Sequence, residues 1–232
     1  MTAIVSNLQA VHIAIEQALQ SAMRGTADVK LLAVSKTFPA PSVREAYEAG
    51  QHEFGESYVQ EALGKMATLS DLAIVWHYIG PVQSNKTRDI AENFAWVHGV
   101  DRLKIAQRLS EQRPTGMPAL NICLQVNVSG EASKSGVVPQ EVVGLAQEVS
   151  KLPNLKLRGL MAIPAPIDDE VAQRKPFAHL RQLSQEIGEQ GIVLDTLSMG
   201  MSHDFVAAIK EGATIIRIGT AIFGKRDYGE NI

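Results

Sequence analysis

Apolar residues along this chain follow two rhythms. Over roughly residues 6–24, Leu8, Val11, Ile15 and Leu19 recur every three or four positions, which predicts an amphipathic leading helix. Beyond it, short continuous apolar runs alternate with stretches of helical period. The runs cover 29–35, 52–54, 74–79, 96–98, 120–128, 157–163, 193–197 and 214–218. The helical stretches cover 41–50, 58–69, 86–92, 103–109, 139–152, 171–189 and 204–211. Eight predicted strands, each but the last followed by a helix, imply right-handed βαβ units and a parallel sheet. Eight such strands in 232 residues favour a closed (β/α)8 TIM barrel over an open doubly wound sheet. No Gly-x-Gly-x-x-Gly follows the first strand, which weighs against a dinucleotide fold. The Pro-rich stretch 163–169 reads as a loop after the sixth strand, so residues 1–232 are expected to form one domain with an extra N-terminal helix.

Composition narrows the function classes. Hydrophobic residues make up 45% and charged residues 20%, as in an ordinary globular chain. A net charge of -3 argues against a large nucleic-acid footprint. The basic segment Ser84-Asn85-Lys86-Thr87-Arg88 reads as a helix start with solvated charges, and Lys134 and Lys225 as solvated surface lysines. The single cysteine, Cys123, lies in an apolar run and reads as a buried, inert thiol. The N-terminus lacks signal-peptide features and no apolar run could span a bilayer, so a cytoplasmic protein is expected.

In such a barrel, chemistry sits where strands end. The predicted strand ends carry Lys36, Glu56-Ser57, His77, His98, Asn127, Met161, Ser198 and Arg217. Lys36 closes an apolar run, so its ammonium should emerge beside low-dielectric walls that lower its pKa, as a Schiff-base lysine requires. A lysine snorkelling into solvent is the alternative. Ser198 to Asp204, and Gly219-Thr220 after the last strand, place glycine and hydroxyl residues where many barrels bind phosphate. Together with Lys36 they point to a phosphorylated aldehyde cofactor. Arg217 stands among isoleucines and so needs a partner: either a bound ligand, or a carboxylate such as Asp195 or Glu211.

The segments 31–37 (Leu-Leu-Ala-Val-Ser-Lys-Thr), 54–61 (Phe-Gly-Glu-Ser-Tyr-Val-Gln-Glu), 76–86, 158–164, 197–202 and 217–224 closely resemble the pyridoxal 5'-phosphate (PLP) homeostasis protein family. The resemblance runs over about 31–224. It implies a barrel like the N-terminal domain of alanine racemase, with PLP held covalently as a Schiff base on Lys36. It further implies phosphate on Ser198 or Ser202 with Gly219 and Thr220, Arg217 near the pyridine nitrogen, and His77 and Met161 at the same mouth. The family usually has Asn where this chain has Ser57, and a serine cannot offer both an amide donor and a carbonyl acceptor. Two functions compete. One is a non-catalytic PLP carrier and buffer, a monomer that serves PLP-dependent apoenzymes and influences amino-acid and keto-acid pools. The other is a small PLP-dependent racemase or lyase with Tyr58, Tyr78 or His203 as its second base. Because the chain ends at Ile232, the second domain that gives alanine racemase a base is expected to be missing, which favours the carrier.

Overall fold

The computed structural model describes residues 2–131 and 135–225; Lys134 lies outside them. Its eight strands are β1 (Lys30–Val34), β2 (Glu53–Glu56), β3 (Val75–Tyr78), β4 (Trp96–Val100), β5 (Leu120–Gln125), β6 (Leu155–Met161), β7 (Thr196–Ser198) and β8 (Ile215–Ile218). Each strand pairs in parallel with its sequence neighbours, and β1 pairs with β8, so the sheet closes into the expected barrel.

Helices follow the strands. They are α2 (Ala40–Glu48), α3 (Val59–Thr68), α4 (Thr87–Asn93), α5 (Leu103–Gln112), α6 (Val142–Val149), α7 (Glu170–Glu189), α8 (Phe205–Lys210) and α9 (Thr220–Phe223). The leading helix α1 (Ala3–Ser21) buries Leu8, Val11, Ile15 and Leu19 and packs on α9, α8 and α2. It therefore covers the seam where β8 meets β1. Each of those side chains contributes roughly 2 kcal/mol on burial.

Most boundaries shift by one to three residues from the sequence pattern, and differences at three strands bear on the site. β5 stops at Gln125; Val126 still donates its N–H to the Met161 carbonyl at 2.8 Å but forms an isolated bridge with Val137. β7 begins only at Thr196: Val193, which opened the apolar run, is exposed, and Asp195 is turned to Arg158. β8 is followed by the short helix α9, which the apolar pattern did not mark.

The core has two parts. A large cluster fills the layer between barrel and helices. A small one inside the barrel contains Leu32, Trp96, Cys123, Met161 and Ile215. Burial pushes the Cys123 thiol pKa up to about 12, which makes it the inert thiol expected. The remaining barrel interior is polar: His77, His98, Ser198 and Arg217 are all buried. Among the described residues no helix is long and apolar enough to cross a membrane, and none of their His, Cys, Asp and Glu side chains group as a metal site.

Candidate functional site at the barrel mouth

A cavity of about 350 Å³ opens at the C-terminal ends of the strands. Val34 and Lys36 reach it from β1, Ser57 from beyond β2, Ile79 from beyond β3 and Ile163 from beyond β6. Met201, Ser202 and His203 follow β7, and Arg217, Gly219 and Thr220 close the wall from β8. The structure thus brings Lys36, Ser57, Ser202, Arg217, Gly219 and Thr220 together. It does not place His77, Met161 or Ser198 on that wall; all three are buried within the barrel. The apolar wall of Val34, Ile79, Ile163 and Met201 was not singled out from sequence. Ile79 directly follows a strand, so the strand-end rule would have found it had apolar ends been read too. A neighbouring depression of about 540 Å³ shares Lys36, Ser57, Ile79 and Ile163 and adds Tyr58, Tyr78 and Lys86.

The loop carrying Lys36 is held from below. Thr37 has φ 71, a conformation that costs a β-branched residue roughly 1–3 kcal/mol. Its backbone N–H donates to Glu61 Oε1 at 2.6 Å. Lys65, in α3, spends all three ammonium protons here, on Ser35 O (2.8 Å), Glu56 Oε1 (2.7 Å) and Glu61 Oε1 (2.5 Å). Ser35 Oγ donates to Glu56 Oε1 at 2.6 Å. Burial pushes the Glu56 pKa up, against the pull of Lys65.

Arg217 is buried, yet it has no carboxylate partner among the described residues. Its Nη1 donates to Ser198 Oγ at 2.8 Å and its Nη2 to the carbonyl of Ala162 at 2.9 Å. Asp195 belongs instead to Arg158, and Glu211 to Arg174 and Arg181, so neither supplies the ion pair weighed from sequence. Burial lowers the guanidinium pKa to about 10, still charged at neutral pH. The phosphate-type segment places its two candidate serines differently. Ser198 Oγ lies 2.7 Å from His98 Nδ1 and is committed inside the barrel, whereas Ser202 faces the cavity. The backbone N–H groups of Ser202 and His203 have no acceptor among the described residues. Gly219 lies so close to β1 that a Cβ there would stand 3.0 Å from the Val34 carbonyl oxygen. Outside the mouth, Arg88 is an exposed partner of Glu92, as expected of a solvated helix start.

Beneath Arg217, His98 Nε2 lies 3.0 Å from His77 Nδ1, and His77 Nε2 lies 3.2 Å from Glu53 Oε2. Glu53 also accepts from Lys30 at 3.0 Å. Burial opposes its ionisation, but His77 and Lys30 outweigh that and lower its pKa from 4.5 to about 2. The resulting stability is complete above the unfolded pKa and disappears as pH falls through about 2. Glu53→Gln should therefore flatten acid unfolding between about pH 4.5 and 2 and remove up to about 3 kcal/mol of its pH dependence, measured by urea melts across that range.

Residues 7–227 match the family model described as "Alanine racemase, N-terminal domain". The chain is 62% identical over 229 residues to the pyridoxal phosphate homeostasis protein of Pseudomonas aeruginosa, covering 99% of this chain and 98% of that one. The chain belongs to the pyridoxal phosphate homeostasis protein family, within the wider alanine racemase N-terminal domain family. The Vibrio cholerae member is 53% identical, with 100% of both chains covered. Among solved structures, PipY of Synechococcus elongatus PCC7942 with PLP bound is 38% identical, with a TM-score of 0.82 over 95% of this chain and 100% of that one. The match to the family model spans every strand and every residue of the cavity wall.

Proposed function

We propose that this chain binds PLP in the barrel-mouth cavity, covalently on Lys36, and serves the intracellular homeostasis of that cofactor by carrying and buffering it. The observation that carries the reading is Arg217: a buried cation paired only with neutral acceptors, on one cavity wall with Lys36. PLP-binding by a family relative of the same fold supports it.

The residues present fit the three recognisable parts of the cofactor. The Lys36 amine suits its aldehyde; their condensation forms a C=N bond, the Schiff base, and releases one water. Arg217 suits the pyridine nitrogen. Ser202 and Thr220, with the backbone N–H groups of Ser202 and His203 and the close backbone at Gly219, suit the phosphate. Ser198 is not proposed as the phosphate hydroxyl, because its oxygen is already engaged by Arg217 and His98. Ser57 stands beside Lys36 with one hydroxyl in place of an amide, and Met161 and His77 support the site from inside the barrel.

When bound, PLP supplies an electrophilic carbon and an electron-withdrawing ring. Arg217 can only donate, so it leaves the ring nitrogen unprotonated and weakens that withdrawal. Tyr78, one of the possible second bases, has its hydroxyl held by the carbonyls of Ser57 and Pro81, and burial pushes its pKa up to about 12. Both features favour carriage over turnover. The reading extends to a cytoplasmic monomer, residues 1–232 acting as one domain, which passes PLP to PLP-dependent apoenzymes and so affects amino-acid and keto-acid pools. His203, on the cavity wall, is the observation that keeps a racemase or lyase as the second reading. Exchange of a substrate α-proton in heavy water would favour that second reading; a carrier gives little.

The direct test is borohydride reduction of the PLP-loaded protein followed by peptide mass mapping. The adduct is expected on Lys36 and should vanish in Lys36→Ala. An adduct confined to another lysine overturns the assignment.

A further inference from the structure

The polar interior of the barrel carries an ordering of its own. Arg217 Nη1, Ser198 Oγ, the His98 ring, the His77 ring and Glu53 Oε2 follow one another at 2.8, 2.7, 3.0 and 3.2 Å. His77 stacks on Trp96 with centroids 5.4 Å apart and planes 6° from parallel, which fixes its ring in place. Glu53 Oε2 and His77 Nε2 make no aligned hydrogen bond to any described residue, so their 3.2 Å contact is a close electrostatic approach that closes the series. Glu53, the first residue of β2, meets the exposed Lys30 at the start of β1, so the series runs from the underside of the barrel to the cavity.

The two ends are chemically opposite. A guanidinium only donates and a carboxylate only accepts. With both rings neutral, three hydrogen bonds and the closing His77–Glu53 contact are served by four hydrogens, and only one arrangement avoids a clash. Arg217 donates to Ser198, Ser198 to His98 Nδ1 and His98 Nε2–H to His77 Nδ1, which leaves the His77 Nε2–H on the side of the Glu53 carboxylate. Reversing both rings sets a lone pair against the carboxylate; reversing His98 alone sets two lone pairs face to face at 3.0 Å. Burial lowers the pKa of both histidines, and His98 is pushed further down by His77 and Arg217, so both stay neutral.

We propose that Ser198, His98 and His77 form a one-way hydrogen-bonded column, closed electrostatically by the Glu53 carboxylate, that orients the Arg217 guanidinium toward the cavity, making all four positioning residues for the ligand it holds. The column polarises each link in the same sense and ends on an anion, so it partly offsets a buried cation that lacks a direct counter-ion. Its effect on a ligand rests on the PLP reading above; its existence does not.

Two measurements separate these. In the ligand-free protein with 15N-labelled histidine, His77 and His98 are expected as neutral Nε2–H tautomers at pH 7. A charged ring, or His98 as the Nδ1–H tautomer, overturns the column whatever the ligand. In the PLP-loaded protein, Glu53→Leu removes the terminal acceptor far from the cavity. It should weaken PLP binding about fivefold and shift the absorption of the bound chromophore. Glu53→Gln, which keeps an acceptor oxygen, should restore both. Ser198→Ala should give the same loss from the near end, and Ser198→Thr should rescue it, so the test stands if Glu53→Leu does not fold. If affinity and absorption match the unmodified protein in Glu53→Leu or in Ser198→Ala, the positioning role is wrong. A missing Lys36 adduct would instead count against the PLP reading alone.

Discussion

Lys65→Met is expected to destabilise the fold by about 3–5 kcal/mol, read as a lower urea midpoint at unchanged slope. Methionine keeps the stem and removes the ammonium. Three acceptors then lose their charged donor at once and keep only neutral ones: the Ser35 carbonyl, Glu56 and Glu61. Glu56 suffers most, because it is fully buried and its Oε2 already lacks a partner. Its raised pKa gives it an escape, since it can take up a proton instead of remaining an isolated buried charge. That uptake limits the loss and makes it larger at high pH than at pH 5. The double variant Lys65→Met/Glu56→Gln should be less destabilised than the single one, since removing both members of a buried pair costs less than removing one. A single variant within about 1 kcal/mol of the parent would show that the cluster does not support the fold. The same cluster holds Thr37 in its strained conformation, so the loop presenting Lys36 should relax in the variant, visible as faster amide exchange at Thr37.

Much of this was legible in the sequence, for definable reasons. The alternation of apolar runs with helical periods carries the barrel, because each βαβ unit is a local pattern. Lys36, Ser202, Gly219 and Thr220 were readable because strand ends and following loops map directly onto the mouth. What was hidden depends on register. Glu53, His77 and His98 come from three strands and meet only once the barrel closes, and no spacing in one strand announces that. Lys65 sits in a helix where a lysine ordinarily faces water, and only tertiary packing buries it. Ser198 and Ser202 looked alike because β7 is only three residues long and begins later than its apolar run, which moves Ser198 into the barrel. Val193 misled for the opposite reason: it is apolar yet exposed.

Gly159→Ala should cost at least about 3 kcal/mol and leave little folded protein, measured by far-UV circular dichroism and soluble yield. In the sequence, Gly159 looks like an ordinary member of the segment 158–164. In the barrel it pairs with Thr196 across β6 and β7, and a Cβ built on it would lie 1.7 Å from the Thr196 carbonyl oxygen. No rotamer relieves this, because both colliding groups are backbone or fixed to it. The strands cannot simply separate either: Asp195 N donates to Arg158 O at 2.8 Å and Ala162 N to Ser198 O at 3.2 Å, on the two sides of the contact. On its other flank β6 meets the irregular register of β5 at Ile122 and Cys123, opposite Leu157 and Gly159, so displacement that way disturbs a second junction. The control is Gly144→Ala in the first turn of α6, where a Cβ meets nothing within 4 Å. There the methyl should stabilise by up to about 1 kcal/mol, because alanine favours the helix and restricts the unfolded chain. Opposite signs for the same chemical change would show that Gly159 is required by the closeness of two strands. Similar small effects would mean that the barrel can open at β6 and β7 without loss. The position matters beyond stability, since β7 carries Ser198, the group that links Arg217 to His98 beneath the cavity.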